Sequence, residues 1–286
     1  MITGLALLDL SWDTVAGLVM DLANSEYYGE NEPEMTAAFW NASAQRLSIS
    51  LATAQQAIEF ILKARIAAVS PFLLIAGNPR DWPRRCDRED VPFADFRTID
   101  AQDLIRVHDA VVTERLGAEF VSKFEQLRKA RNAVMHAIDN RVSPHAADVV
   151  RDILVVFRLL FPDGNWFAVR SEYLERSPLA ELHSADFVDE QLVHEFERIS
   201  ALLGPDELAA CLGFGERLEY ICPACARASD TEELRPRSAH AEGPFAIRCI
   251  LCNGTFGVVR AQCPACGGGL LAEGEGRCVS CGEDVA

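Results

Sequence analysis

The chain has 286 residues, 49% of them hydrophobic and 24% charged, which is the composition of a globular protein with enough apolar content for a full core. The formal charge of −16 excludes a protein that coats nucleic acid through a broad positive surface, although it leaves room for a small local site. The N-terminal stretch "MITGLALLDLSWDTVAG" carries Asp9 and Asp13 where a secretory leader would be basic, and the apolar run around Val69 to Gly77 is broken by Pro71. The expectation is a cytoplasmic protein without a membrane segment.

A first helix is predicted over Leu5 to Asn24, ahead of the acidic turn "EYYGENEPE". The first 45 residues hold seven acids and no Lys or Arg. A second helix follows from Leu51, Ala54, Ile58, Ile61, Leu62 and Val69, which recur at helical spacing until Pro71 closes the run. An irregular stretch, "GNPRDWPRRCDREDVPFADF", comes next. Its Trp82-Pro83-Arg84-Arg85 could meet a phosphate and stack a base, but Asp81, Asp87, Glu89 and Asp90 nearly cancel the charge, which favours a solvated loop. The third helix lies in "TIDAQDLIRVHDAVV", with Thr98 or Asp100 as N-cap.

A fourth helix runs from near Gly117 to Asp139, with Phe120, Phe124, Leu127, Val134 and Ile138 on one stripe. Arg131 falls in the middle of that stripe. A buried guanidinium needs either a carboxylate partner or a wet cleft. Asn132 and His136, four apart, are neighbours on the surface of this helix, and Arg128 extends their row. From Ser122 to Arg141 the bases Lys123, Arg128, Lys129, Arg131 and Arg141 face only Glu125 and Asp139. An amide, an imidazole and several cations on one helix can bind a phosphodiester and move a proton near neutral pH. Arg235 and His240 repeat the Arg131–His136 separation, but in a proline-bearing loop, and that copy is set aside.

A fifth helix is predicted in "SPHAADVVRDILVVFRLLFPDG", with Ser143 as N-cap and Pro144 at the first helical position. A sixth is predicted in "SADFVDEQLVHEFERISALLGP", stopped by Gly204-Pro205. Residues 1–212 therefore read as an antiparallel helical bundle. From Tyr220 the helical periodicity ends and short β-like runs appear between cysteine pairs, so that 220–286 reads as a small β domain of its own. Eight of the ten cysteines lie there as Cys222/Cys225, Cys249/Cys252, Cys263/Cys266 and Cys278/Cys281. Two CxxC turns complete a tetrahedral four-thiolate site for Zn²⁺, so the tail calls for two structural zinc ions. Sequential pairing suits the spacing and a cross-braced arrangement stays open. Redox chemistry by one CxxC pair is disfavoured by four pairs in a row without a βαβ context. Cys86 and Cys211 read as ordinary cysteines.

The tail resembles tandem zinc ribbons. The segment "RNAVMH", preceded by "AIEFILKARIA" and "FRTIDAQDLIRV", resembles the HEPN superfamily over roughly Leu47 to Leu160. That resemblance implies a metal-independent endoribonuclease that dimerises across a shared groove, often as a toxin or defence effector. Arg131, Asn132 and His136 would be catalytic: His136 acting on the ribose 2′-hydroxyl or the leaving 5′-oxygen, Arg131 stabilising charge on phosphorus, Asn132 orienting either. Arg128 and Lys129 would bind RNA, with no cofactor for catalysis. Ile138 stands where some HEPN toxins carry a modified tyrosine, so that form of silencing is not supported, and a regulatory or antitoxin protein acting through the ribbons is the expected control. On a straight helix Arg131 and His136 point about 140° apart, so convergence needs a long reach, a distortion or the second subunit. The alternative is a non-catalytic RNA- or protein-binding adaptor with the zinc tail as its docking surface; a third reading makes Arg131 a structural ion pair, which a buried carboxylate beside it would favour.

Overall fold

A computed structural model describes residues 1–27, 33–136, 144–183, 187–214, 218–228 and 235–285; at residues 26, 27, 135, 136 and 228 it describes the backbone alone. The chain is mostly helical, with a small antiparallel sheet near the C-terminus. Two compact units are distinguished: one gathers Met1–Trp12 with Gln45–Pro144, the other Asp13–Ala44 with His145–Ala286.

In the first unit, α1 (Ile2–Tyr27) and α2 (Pro33–Val69) contribute their parts before Asp13 and after Ala44. Both helices outrun their predicted bounds. The extra length of α2 is alanine-rich and polar ("PEMTAAFWNASAQR"), so helix propensity carries it where no apolar stripe signals it. Leu51, Ala54, Ile58, Ile61 and Leu62 are buried as the spacing requires, together with Leu8 and Trp12. Gly4 lets the two helices approach closely, because a Cβ there would stand 2.5 Å from Ile61 Cγ1. Ser11 and Ser50 cross-bond through hydroxyls and carbonyls at 2.8 and 2.9 Å, which satisfies both in the core.

By length and composition α1 could cross a membrane, a feature the sequence reading did not single out. The helix also places Leu8, Trp12, Val15 and Leu18 out of solvent within this structure.

After α2 lie three short 3-10 turns, Pro71–Leu74 ahead of the irregular stretch and Pro79–Asp81 and Phe93–Asp95 within it. The stretch is pinned by Ala76 N–H to Arg97 O and Ile99 N–H to Leu74 O, both 2.8 Å. Helix α3 (Ala101–Val111) starts after Asp100, whose side chain makes no capping bond. Thr98 instead receives the Lys63 ammonium at 3.1 Å. Helix α4 (Ala118–His136) follows.

In the second unit, α5 (Ala146–Leu160) begins later than expected, with His145 at the N-cap position; Ser143 lies outside the described residues. The predicted sixth helix is seen as α7 (Phe187–Leu203). Between them lies α6 (Trp166–Glu175), and after them α8 (Pro205–Leu212); the sequence reading anticipated neither. Gly204, at φ 84°, ends α7, and Pro205 then opens α8 at the position where a proline N–H is not needed. α5 packs on α7 and α8, and α6 on α7.

The sheet runs β1 (Tyr220–Ile221), β2 (Arg237–Ala241), β3 (Ala246–Cys249), β4 (Thr255–Arg260) and β5 (Leu270–Ala272), neighbours in chain order and antiparallel throughout. A one-and-a-half-turn helix, α9 (Pro223–Ala228), separates β1 from β2 and packs on α7.

Candidate functional site

The predicted stripe of α4 is buried as far as it is described at its start: Phe120, Phe124 and Leu127 are at 1% exposure or less. Arg131 continues that face and is half-buried. Its Nη1 donates to Asn132 Oδ1 at 3.0 Å, and no carboxylate pairs with it among the described residues. His136 closes the helix, and its side chain is outside the described residues, as is Ile138. The convergence of Arg131 and His136 is therefore not on view.

Arg128 is occupied. Its Nε and Nη2 donate to Glu125 one turn back, the shortest bond being 2.8 Å. The Arg128 hydrogen bond holds the Glu125 carboxyl below its usual range, and the same contact raises Arg128. Lys129 is exposed. The two residues expected to bind RNA thus differ in readiness: the ammonium faces water, and the guanidinium has an intrahelical competitor.

The Trp82 loop is largely exposed, with charges paired locally. Trp82 Nε1 donates to Ala76 O at 2.8 Å and the ring meets Phe96 edge-on, while Arg85 pairs with Glu89 and Arg88 with Asp87. The second Arg/His copy is only partly in a loop, because His240 belongs to strand β2. Arg235 pairs with Glu283, and His240 lies on strand β2 against Phe214. A residue the sequence reading passed over is His108 on α3. It is fully buried, its Nδ1 sits 3.0 Å from Asp109 Oδ1, and its Nε2 has no partner among the described residues.

The cysteines sort into two groups, Cys222, Cys225, Cys249 and Cys252, then Cys263, Cys266, Cys278 and Cys281, and within each group all sulfurs lie within 4.8 Å of one another. This is the sequential pairing; cross-bracing is ruled out. Tetrahedral coordination at a Zn–S length of about 2.3 Å puts neighbouring sulfurs about 3.8 Å apart. The Sγ–Sγ distances are 3.6 Å (Cys222–Cys252), 3.7 Å (Cys225–Cys249), 3.8 Å (Cys263–Cys281) and 3.6 Å (Cys266–Cys278). They match that edge and are far from the S–S bond length of about 2.05 Å.

No protein-family model, no curated protein and no solved structure matches the chain.

The backbone also suits thiolates. Leu251 N–H points at Cys249 Sγ (3.3 Å), Gly268 N–H at Cys266 Sγ (3.3 Å) and Ser280 N–H at Cys278 Sγ (3.4 Å). Each donor lies two residues past its sulfur, the signature of a tight knuckle. The residue after the second cysteine of three pairs is left-handed: Asn253 at φ 55°, Gly267 at 72° and Gly282 at 79°. Asn253 fills the place that glycine fills in the other two, since Asn is the side chain that tolerates this region best. The fourth pair differs because Cys225 lies within α9.

Crowding divides the first group electrically. Contact with Cys222 pushes the Cys225 thiol up, and contact with Cys222 holds Cys252 down. In the second group the Cys266 backbone N–H lowers Cys263 to about 7. Both groups are compatible with a zinc ion each, and a bound Zn²⁺ would hold all four sulfurs of a group as thiolates.

Proposed function

We propose that the chain is a metal-independent endoribonuclease of HEPN type, working as a homodimer in a toxin or defence role, with tandem zinc ribbons that dock a regulatory protein. The observation that carries this reading is the state of Arg131. The same chain displays what a structural arginine looks like. Arg170, 3% exposed, grips Glu195 through Nε and Nη2 at 3.1 and 2.7 Å and reaches Asp13 at 2.7 Å. Arg131 has no such acid among the described residues, and its guanidinium is braced by Asn132. A half-buried cation held in place by an amide is suited to an anion that arrives from outside.

In this reading His136 removes the proton from a ribose 2′-hydroxyl, and the 2′-oxygen forms a bond to phosphorus. The bond from phosphorus to the 5′-oxygen breaks, that oxygen takes up a proton, and a 2′,3′-cyclic phosphate and a 5′-hydroxyl result. Arg131 offsets the charge that builds on the phosphoryl oxygens, and the zinc ions take no part in this chemistry. DNA, which lacks the nucleophile, is not cut.

The second reading, an RNA- or protein-binding adaptor, is favoured by Arg128, whose pairing with Glu125 removes one phosphate contact from the face. One experiment separates the two. Purified protein, exposed briefly to EDTA, is incubated with RNA beside Arg131→Ala and His136→Ala. The nuclease reading expects cleavage by the wild type and a loss of at least about 100-fold in either variant, the usual scale for a general acid–base group. Cleavage equal in all three proteins would overturn the roles given to Arg131 and His136, and RNA retained without cleavage would favour the adaptor instead.

A further inference from the structure

The five-stranded sheet curls until its edges meet. Val279, inside the last CxxC step, accepts from Ile221 N–H on β1 at 2.7 Å and donates to Leu270 O on β5 at 3.3 Å. The curl holds a cavity of about 470 Å³, within the range of about 300–1,000 Å³ for small-molecule sites. Strand register decides which side chains face it. Ala241 stands opposite Ile247, Ile247 opposite Phe256 two residues before Val258, and Arg260 opposite Leu270. Because side chains alternate along a strand, Ile247, Val258, Arg260 and Leu270 share one face, and all four line the cavity. Tyr220 from β1 and Ser280 from the last knuckle complete the polar part of its wall.

The lining carries one charge. Ile247 and Val258 are buried and apolar, and no acid lines the cavity among the described residues. Four arginines around the sheet are committed to carboxylates: Arg227 to Glu275, Arg235 to Glu283, Arg248 to Glu242 and Arg277 to Asp284. Arg260 is exposed and has neither an ion pair nor a side-chain hydrogen bond among the described residues. The Tyr220 and Ser280 hydroxyls are also without partners there. An uncommitted guanidinium binds a carboxylate through two parallel hydrogen bonds, and a hydroxyl can donate to the same oxygens. A phosphate dianion is the poorer match, since it would meet a single cation in a chain of formal charge −16.

We infer that this cavity is a binding site for a monocarboxylate with a branched apolar body, its carboxylate on Arg260 and its hydrocarbon against Ile247, Val258 and Leu270. A small free acid and the C-terminal residue of a partner protein both present that chemistry. The inference goes beyond the proposed function and does not rest on the nuclease reading.

The test titrates the full, zinc-loaded chain by ligand-observed NMR. The probe is 4-methylpentanoate, with 4-methylpentanamide as its neutral counterpart of the same shape. The acid is expected to bind saturably with a Kd of about 1 mM, and the amide at least about tenfold more weakly. Arg260→Met, which keeps an apolar stem, loses at least about tenfold for the acid. Ala241→Phe, which fills the cavity from the exposed end of β2, abolishes binding, and an unchanged thermal transition shows that the sheet is intact. Two further probes follow. N-acetylalanylleucine binding several-fold tighter than 4-methylpentanoate assigns the site to a protein C-terminus, and equal or weaker binding assigns it to a free acid. Phenyl phosphate binding tighter than the acids overturns the inference, as do equal affinities for acid and amide, full affinity in Arg260→Met, or no saturable binding of either acid. The comparison of acid with amide needs no variant, so it decides the matter even where a substitution unfolds the chain.

Discussion

Arg128 and Arg131 are three positions apart on one helix and have opposite commitments, and that difference makes the first prediction. The Glu125 carboxyl is held below its ordinary range by Arg128, so the pair is intact above that range and breaks only as pH falls through the lowered value. At neutral pH Arg128 therefore gives up little charge to RNA. Glu125→Gln removes the competitor and leaves the helix geometry in place. Expected is tighter binding of single-stranded RNA, with the slope of log K against log salt steeper by about 0.7, one added phosphate contact. Filter binding at several salt concentrations measures it, and an unchanged slope would mean that α4 does not meet RNA through Arg128. The sequence placed these residues on one helix by period alone. It could not reveal the Glu125 pairing, because Glu125 lies equally within reach of Lys129 along the chain and only rotamers decide between them.

Within the cysteine elements the sequence was most informative, because a CxxC step dictates its own local geometry. The ligand cysteines are legible in the CxxC steps, whereas spacing favours sequential pairing without excluding a cross-brace, and the role of Asn253 is not legible at all. It replaces a glycine that the other two knuckles keep, and a left-handed φ leaves no trace in hydrophobic pattern. Asn253→Gly should leave metal retention unchanged. Asn253→Val forces a β-branched residue to positive φ and should lower stability by roughly 1–2 kcal/mol. Thermal unfolding of the metal-loaded protein, with dye-detected zinc release, reads both. Acidity acts on the same elements. Ion binding needs four thiolates per group, so below the thiol pKa values apparent affinity should fall by up to about four tenfold steps per pH unit. A pH-insensitive zinc content between neutrality and mild acid would contradict coordination by four thiolates. The two overlooked helices teach the complementary lesson. α6 buries Trp166, Phe167, Arg170 and Leu174, and an arginine among its buried positions breaks the apolar period on which a sequence reading depends.

At the level of the whole molecule, the second unit joins residues from both ends of the chain, and polar contacts at its centre do part of the joining. Arg170 on α6 links Glu195 on α7 with Asp13 on α1, and Gln191 adds a bond to Glu195 at 3.1 Å. Asn165 both caps α6, accepting from Phe167 N–H, and donates to Ile250 O at 2.7 Å beside the first cysteine group. The partners Arg170–Glu195, Asn165–Ile250 and Arg170–Asp13 could not be matched from sequence, since they are 25, 85 and 157 residues apart. Glu195 is 1% exposed, so removing Arg170 strands a carboxylate where water cannot reach it. Arg170→Met should therefore lower stability by about 3–5 kcal/mol, whereas Arg170→Met with Glu195→Leu should recover most of that loss, because a buried pair gains little over apolar packing. Urea denaturation followed by circular dichroism measures both variants. Equal losses in the single and double variants would mean that packing around α6, rather than the uncompensated charge, sets the penalty. A loss confined to the single variant would identify the ion pair as a device that specifies which helices meet, with apolar burial supplying the stability.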